Sequence, residues 1–347
     1  MVASADPAVA DEARAAHAVH PVERALVEGA TQRVSTEHGS VLVVPLLGAG
    51  SPLGAITLVR TDRMRGFLDE EVLLAEELGN RVSLALLNAR LSTERATITR
   101  ELQEGLRPPA LPAVAGLQTA TLYRPAGELN DVGGDFYDAL HTAGGWTVCI
   151  GDVAGQGARA AALMAVARFT LRSVIQHTSD PEQAVAAVSR ALSEQSDMAL
   201  CTLAVLRLRR ASNGSVALDS LSAGHPLPIL IRDGTVRELG APGPIAGVFQ
   251  DASWEVTTTP LLDGDTVLLY TDGVLDTVGS DGRFGEQRLL ALLDGAPADP
   301  QGLVARIDGA LAGFQDGPQR DDTAIVAVTV REAAAFVAAM AQAHAAA

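Results

Sequence analysis

The sequence predicts an α+β protein with mainly antiparallel sheet. Three observations carry that prediction. After Pro108-Pro109 the apolar period changes from helical to strand-like. Strand-like runs then come in succession, are interrupted by two helical stretches, and return. Finally, apolar residues make up 48% of the 347 positions and charged residues 20%, so the chain can bury a core.

Taken in order, a helix is expected around Asp11 to Thr31. VLVVPL (41–46) and GAITLVR (54–60) read as two strands of a hairpin. From Leu68 apolar residues recur at helical spacing to Leu106, where the proline pair ends the pattern. One continuous helix here would be about 58 Å long. Two shorter helices packed in one domain are the alternative. Leu84, Leu91 and Ile98 form a short coiled-coil-like seam. LQTATLYRPA, DFYDALH and WTVCIGDV follow as strands, then helices from Ala158 to about His177 and from Pro181, with Asp180 as N-cap. ALCTLAVLRLRR, SVALDSLSAG, LPILIRDG, DTVLLYTDG and DDTAIVAVTV complete the strands, with the helix GEQRLLALLDG between the last two. The Ala-rich tail from residue 332 reads as low-complexity, a weak helix or disordered.

The net charge is −16, from 42 acidic and 26 basic residues. That excludes nucleic-acid or anionic-membrane binding as the main role, since both require a basic footprint. Cys149 and Cys201 lie in apolar runs and form no disulfide framework. No apolar stretch approaches the ~20 residues that span a bilayer, and the N-terminus lacks a secretory-signal pattern. A cytoplasmic location is expected.

The chemistry points to four aspartates: Asp135 in VGGDFYD, Asp152 in IGDVAGQG, Asp272 in YTDG and Asp321 in RDDTA. Each stands in a glycine-marked or acidic turn at a strand end. Carboxylates gathered without basic partners repel one another unless a cation lies between them. Oxygen-only donors suit Mg²⁺ or Mn²⁺, and a pair of such ions suits phosphate-ester hydrolysis. Strand alternation allows at most one of Asp321 and Asp322 to face the site; the bland reading of the pair is a strand edge with Arg320 as partner.

These segments, together with LRPPALPAVAGLQTATLYRPAGELNDVGGDFYD, AGHPLPILI and RFGEQRLLALL, resemble the metal-dependent protein serine/threonine phosphatases of the PPM family, in their sporulation-protein-E-type branch. The resemblance implies a four-layer α-β-β-α sandwich of two antiparallel sheets. It implies that Asp152 bridges two divalent ions (Mn²⁺ or Mg²⁺), that the Val153 carbonyl binds one of them, that Asp272 and Asp321 complete the first ion, and that Asp135 holds the second. The same four aspartates are thereby the expected catalytic residues. Gln156 stands where the family often has His, and Asp276 where Glu is common.

The segment VLVVPLLGAGSPLGAITLVR followed by FLDEEVLLAEELGNRVSLALLNARL is similar to the closing half of a GAF domain. The expected organisation is a partial GAF-like domain over 1–90, a linker helix and proline break over 91–112, a phosphatase domain over 113–331 and an Ala-rich tail over 332–347. Other motifs read as structural. Cys201 to Arg207 has the Cys-x5-Arg spacing of cysteine phosphatases, but the residues between form a strand-like run rather than a phosphate-cradling loop. His225 in SAGHPLP reads as a turn histidine, the other histidines lack zinc-ligand spacing, and no phosphate-loop motif occurs.

The expected function is hydrolysis of phosphoserine or phosphothreonine in proteins. By the resemblance, the substrate is a phosphorylated anti-sigma-factor antagonist in a partner-switching circuit, and a homodimer through the linker helix is expected. The alternatives are a catalytically weak phosphatase-like binding module and a small-ligand sensor.

Overall fold

The computed structural model describes residues 20–346 except 37–38, 49–50, 62–65, 127–132, 143–144, 156, 196–198, 250 and 297–298. Gln156 and the first part of the expected Asp11–Thr31 helix therefore lie outside the described residues. The chain divides into two compact units, residues 1–99 and 100–347.

In the first unit, helix α1 (His20–Glu28) precedes strands β1 (Gln32–Thr36), β2 (Gly39–Leu47) and β3 (Pro52–Arg60), which form an antiparallel sheet in the order β1-β2-β3. The hairpin is as expected; β1 was not, because QRVST lacks an apolar alternation. Successive residues of β2 point to opposite faces. Leu42 and Val44 pack with Phe67 and Ala75, whereas Val41 and Val43 pack with Ala25. A single helix, α2, then runs from Asp69 to Glu104 over 36 residues, about 54 Å at 1.5 Å per residue. Asp69, Glu70 and Glu71 occupy its first turn, where negative charge complements the helix dipole. The Glu71 carboxylate also accepts the Leu68 amide at 2.8 Å. The alternative of two shorter helices does not hold.

The second unit begins with β4 (Leu117–Arg124), β5 (Asp135–Thr142), β6 (Gly145–Val153), α3 (Gly157–Ile175) and α4 (Pro181–Gln195). Next come β7 (Cys201–Arg210), β8 (Val216–Ala223), β9 (Ile229–Arg232), β10 (Thr235–Glu238), β11 (Thr257–Leu261) and β12 (Thr266–Tyr270). The chain finishes with α5 (Gly273–Asp276), the short pair β13 (Val278–Gly279) and β14 (Gly282–Arg283), α6 (Gly285–Leu293), α7 (Pro300–Phe314), β15 (Thr323–Val330) and α8 (Ala333–Ala346). Two five-stranded antiparallel sheets result, in the orders β10-β9-β12-β15-β4 and β11-β8-β7-β6-β5.

The layers follow from side-chain alternation. Val148 and Ile150 of β6 meet Leu269, Val326 and Val328 of the other sheet in one core. Phe136 and Cys149 face away, onto Met164, Val185 and Leu192 of α3 and α4. On the opposite outer face, Leu268 and Ile325 pack with Leu289 of α6 and Ile307 of α7. This is the α-β-β-α sandwich that the resemblance implies. Asp180 caps α4 as expected, accepting the Glu182 amide at 3.0 Å. The Ala-rich tail is a helix whose Phe336 and Met340 are buried in the inter-sheet core.

Candidate metal centre

The site lies at one end of the sandwich and grows out of strand register. β5 and β6 pair so that Asp135 is directly opposite Asp152, and Asp152 is directly opposite Thr202 of β7. Asp135 and Asp152 share the inter-sheet face with Tyr137 and Ile150, so two carboxylates continue an apolar column at the point where the sheets open. From the second sheet, Thr271 follows β12 and donates its hydroxyl to Asp135 Oδ2 at 2.6 Å. The Thr271 oxygen in turn accepts the Ala324 amide at 2.9 Å. Asp135 is thus buried and held from across the sandwich.

Asp152, Val153, Gly155, Arg320, Asp321 and Asp322 line a cleft of about 450 Å³. Asp135 is buried and is not part of that lining. Asp272 stands at the start of α5 without a side-chain capping bond and interacts electrostatically with Asp152 and Asp321. Both Asp321 and Asp322 line the cleft, contrary to the alternation argument. The physical reason is that β15 begins only at Thr323, so the pair lies in the preceding turn, where strand alternation does not apply. Asp322 accepts the amides of Ala126 (2.7 Å) and Gly134 (2.8 Å), while Asp321 Oδ1 accepts the Asp322 amide at 3.0 Å. Arg320 pairs with neither.

Close backbone approach explains the glycines. A Cβ on Gly134 would fall 2.4 Å from the Val153 carbonyl oxygen and 2.7 Å from Asp152 Oδ1, and one on Gly133 would fall 1.5 Å from Asp322 Oδ2. At Gly273, next to Asp272, a Cβ would meet the Asp322 carbonyl oxygen at 1.7 Å. Backbone atoms cannot swing aside as a side-chain tip does. Gly273→Ala is therefore expected to cost at least about 2 kcal/mol of stability and most activity, measured by urea unfolding beside an assay.

Electrostatics carry the same message. Burial is the main cause that raises the Asp152 carboxyl from the ordinary 3.8 to about 7, reinforced by Asp272, Asp321 and Asp322. Asp135 is pushed well up, first by burial and then by Asp152. Asp272 and Asp321 are also raised, again chiefly by burial. Among the described residues, no group of three or more His, Cys, Asp or Glu side chains is placed so as to hold a metal ion. The donors are nevertheless all oxygens, mutually repelling, without an Arg or Lys partner on Asp135 or Asp152, and they surround a cradle that a single Cβ would fill. That set fits a hard divalent cation.

Other candidates fall away. Cys201 is buried in the helix-facing core and its thiol is pushed well up by burial, the reverse of an activated nucleophile. Cys201→Ser is expected to keep most activity while losing about 1–2 kcal/mol of stability, compared by kinetics and melting. His225 is buried, shares a 2.8 Å hydrogen bond with Thr202 through Nδ1, and is lowered by burial to about 3; it is a neutral structural imidazole at neutral pH. Thr271 was missed in the sequence, and Asp322 was considered there only as the neighbour of Asp321, with at most one of the two expected to face the site. Thr271 reads there as one more buried strand residue.

Two sheets between helical layers, with carboxylates gathered at the open end, define a phosphatase domain of the PP2C type. Residues 142–331 match the family described as Stage II sporulation protein E (SpoIIE), more than half of the chain, and the chain belongs to that family. It is 27% identical over 289 residues to Protein IcfG of Synechocystis sp., covering 74% of this chain and 43% of that one. It is 23% identical over 232 residues to the phosphoserine phosphatase RsbU of Bacillus subtilis, covering 66% of this chain and 68% of RsbU. The chain thus spans less than half the length of IcfG. Among solved structures, the SiaA PP2C domain of Pseudomonas aeruginosa superposes with a TM-score of 0.53 at 25% identity, over 61% of this chain and 85% of that one.

Proposed function

We propose that this chain is a Mn²⁺- or Mg²⁺-dependent phosphatase of phosphoserine or phosphothreonine in proteins. The observation that carries the reading is the opposed pair Asp135–Asp152, a buried and a half-buried carboxylate without a basic partner among the described residues, with Asp152 lining an acidic cleft. Asp152, the Val153 carbonyl, Asp272, Asp321 and Asp135 would hold the ions, with Asp152 expected to serve both. Such ions, when bound, neutralise phosphoryl oxygens and make a water more acidic. The chain itself contributes position. Thr271 holds Asp135 across the sandwich, the two amides hold Asp322 at the cleft wall, and the glycines bring these backbones together. The buried cysteines leave no thiol to act as a covalent nucleophile.

The likeness to a protein named phosphoserine phosphatase supports the substrate class. A phosphorylated anti-sigma-factor antagonist in a partner-switching circuit is the substrate we favour, by the family resemblance. Release of phosphate from p-nitrophenyl phosphate and from a phosphoserine peptide, with Mn²⁺, Mg²⁺ or EDTA, tests the reading. Turnover with either ion and none with EDTA is expected. Full activity in EDTA, or binding without turnover under every condition, would sink it.

We also propose, as part of this reading, that a shortened GAF-like segment precedes the phosphatase domain and that α2 mediates a homodimer. Leu74, Leu78, Leu84 and Leu91 on this helix are all exposed, an apolar stripe that a second copy would cover. The Ile98 side chain of the expected seam lies outside the described residues. Among the described residues no helix is long and apolar enough to cross a membrane.

A further inference from the structure

We propose that Arg320 is the side chain that receives the phosphoryl group of the substrate in the cleft and thereby selects phosphorylated ligands. This rests on the phosphatase reading above. Arg320 is the one basic side chain among the described residues lining the cleft, whose other charged members are Asp152, Asp321 and Asp322. The flanking stretch 127–132 (GELNDV) and Gln156, outside the described residues, contain no Lys or Arg. A phosphomonoester dianion approaching this end of a protein of net charge −16 finds in Arg320 the one cationic side chain of the described cleft lining, beside whatever charge bound ions supply.

The geometry keeps that guanidinium available. Its neighbours' carboxylates are already engaged. Asp322 takes the Ala126 and Gly134 amides, and Asp321 takes the amide of Asp322. On the other flank Arg320 borders a small hollow that includes Asp276, but Asp276 is paired with Arg283 at 2.5 Å. The turn beneath Arg320 is held in place. Gln319 Nε2 donates to the carbonyls of Arg124 (2.9 Å) and Asp321 (2.8 Å). A guanidinium unpaired within the fold, exposed on a pinned turn, can offer two parallel N–H donors to phosphate oxygens.

The test uses the full chain with Mn²⁺. KM and kcat for a phosphoserine peptide and the inhibition constant of inorganic phosphate are measured for wild type, Arg320→Lys, Arg320→Gln and Arg306→Gln. Arg306 is exposed on α7 and removes the same charge elsewhere. Arg320→Gln should raise both KM and the phosphate inhibition constant by about tenfold or more. Arg320→Lys should fall between, and Arg306→Gln should match wild type. Equal KM and inhibition constants for wild type and Arg320→Gln overturn the proposal, as does an equal rise in Arg306→Gln. Should wild type lack turnover, the phosphatase reading fails separately. Anisotropy of a fluorescein-labelled phosphoserine peptide then decides: weaker binding to Arg320→Gln upholds the anion site, whereas equal binding, or none by wild type, overturns it.

Discussion

Asp152→Asn is expected to lower kcat by at least about a thousandfold while leaving the protein folded. The reason lies in its place among the carboxylates. It faces Asp135 directly across the β5–β6 ladder, and Asp272, Asp321 and Asp322 all raise its carboxyl on top of burial. Every candidate aspartate donor therefore interacts with this one group. Asn keeps its shape and removes its charge, so a bridging role is lost without a cavity. Asp272→Asn and Asp321→Asn, at the periphery of the cluster, should also be severe but smaller. Single-turnover and steady-state rates on proteins with matched melting curves make the comparison. An active Asp152→Asn beside a folded but inactive Cys201→Ser would reject the assignment.

How much of this was legible in the sequence depends on burial. Strands β6 and β15 are buried along nearly their whole length, so they read as mainly apolar runs. Edge strands β10 (TVRE) and β11 (TTTPL) border each sheet, are short and polar, and were not anticipated. Helix α7 carries Gly302, Gly309 and Gly313, which weakens a helical pattern, although Asp299 caps it by accepting the Gly302 amide at 2.9 Å. The four aspartates were visible because each turn around them needs glycine or follows a strand. Their supports were not. Thr271 and Asp322 act through bonds to residues 136 and 188 positions away in sequence, and no local pattern records such a partner. Arg320 first read as a possible partner of its own neighbours; only the amides that occupy Asp322 and Asp321 show why it stays unpaired.

Asp135→Asn is expected to raise the melting temperature of the metal-free protein near pH 8 and to lower it, relative to wild type, once Mn²⁺ is present. Asp135 is pushed well above the ordinary 3.8, by burial first and by Asp152 next. A carboxyl raised in the folded state contributes its stability fully below the unfolded value, and loses it as pH rises through the folded value. In EDTA the wild type therefore weakens from about pH 4 upward, through the value of about 7 reached by Asp152. Asn removes one of the repelling charges and can still accept the Thr271 hydroxyl. The advantage of the variant should vanish near pH 4, where the wild-type carboxyl is protonated. His225 titrates in the opposite sense: lowered to about 3, it costs stability as pH falls below its unfolded value, equally in both proteins. With Mn²⁺ at about a hundred times its dissociation constant, wild type gains about 2.7 kcal/mol, or about 5–10 °C. Asp135→Asn, lacking a donor, gains less, and the order of the two melting temperatures reverses. Calorimetry at pH 4, 6 and 8, with EDTA or Mn²⁺, reads the crossing. A variant less stable than wild type in EDTA at pH 8 would mean that the Asp135–Thr271 bond outweighs the repulsion, and that these carboxylates do not need a cation to coexist.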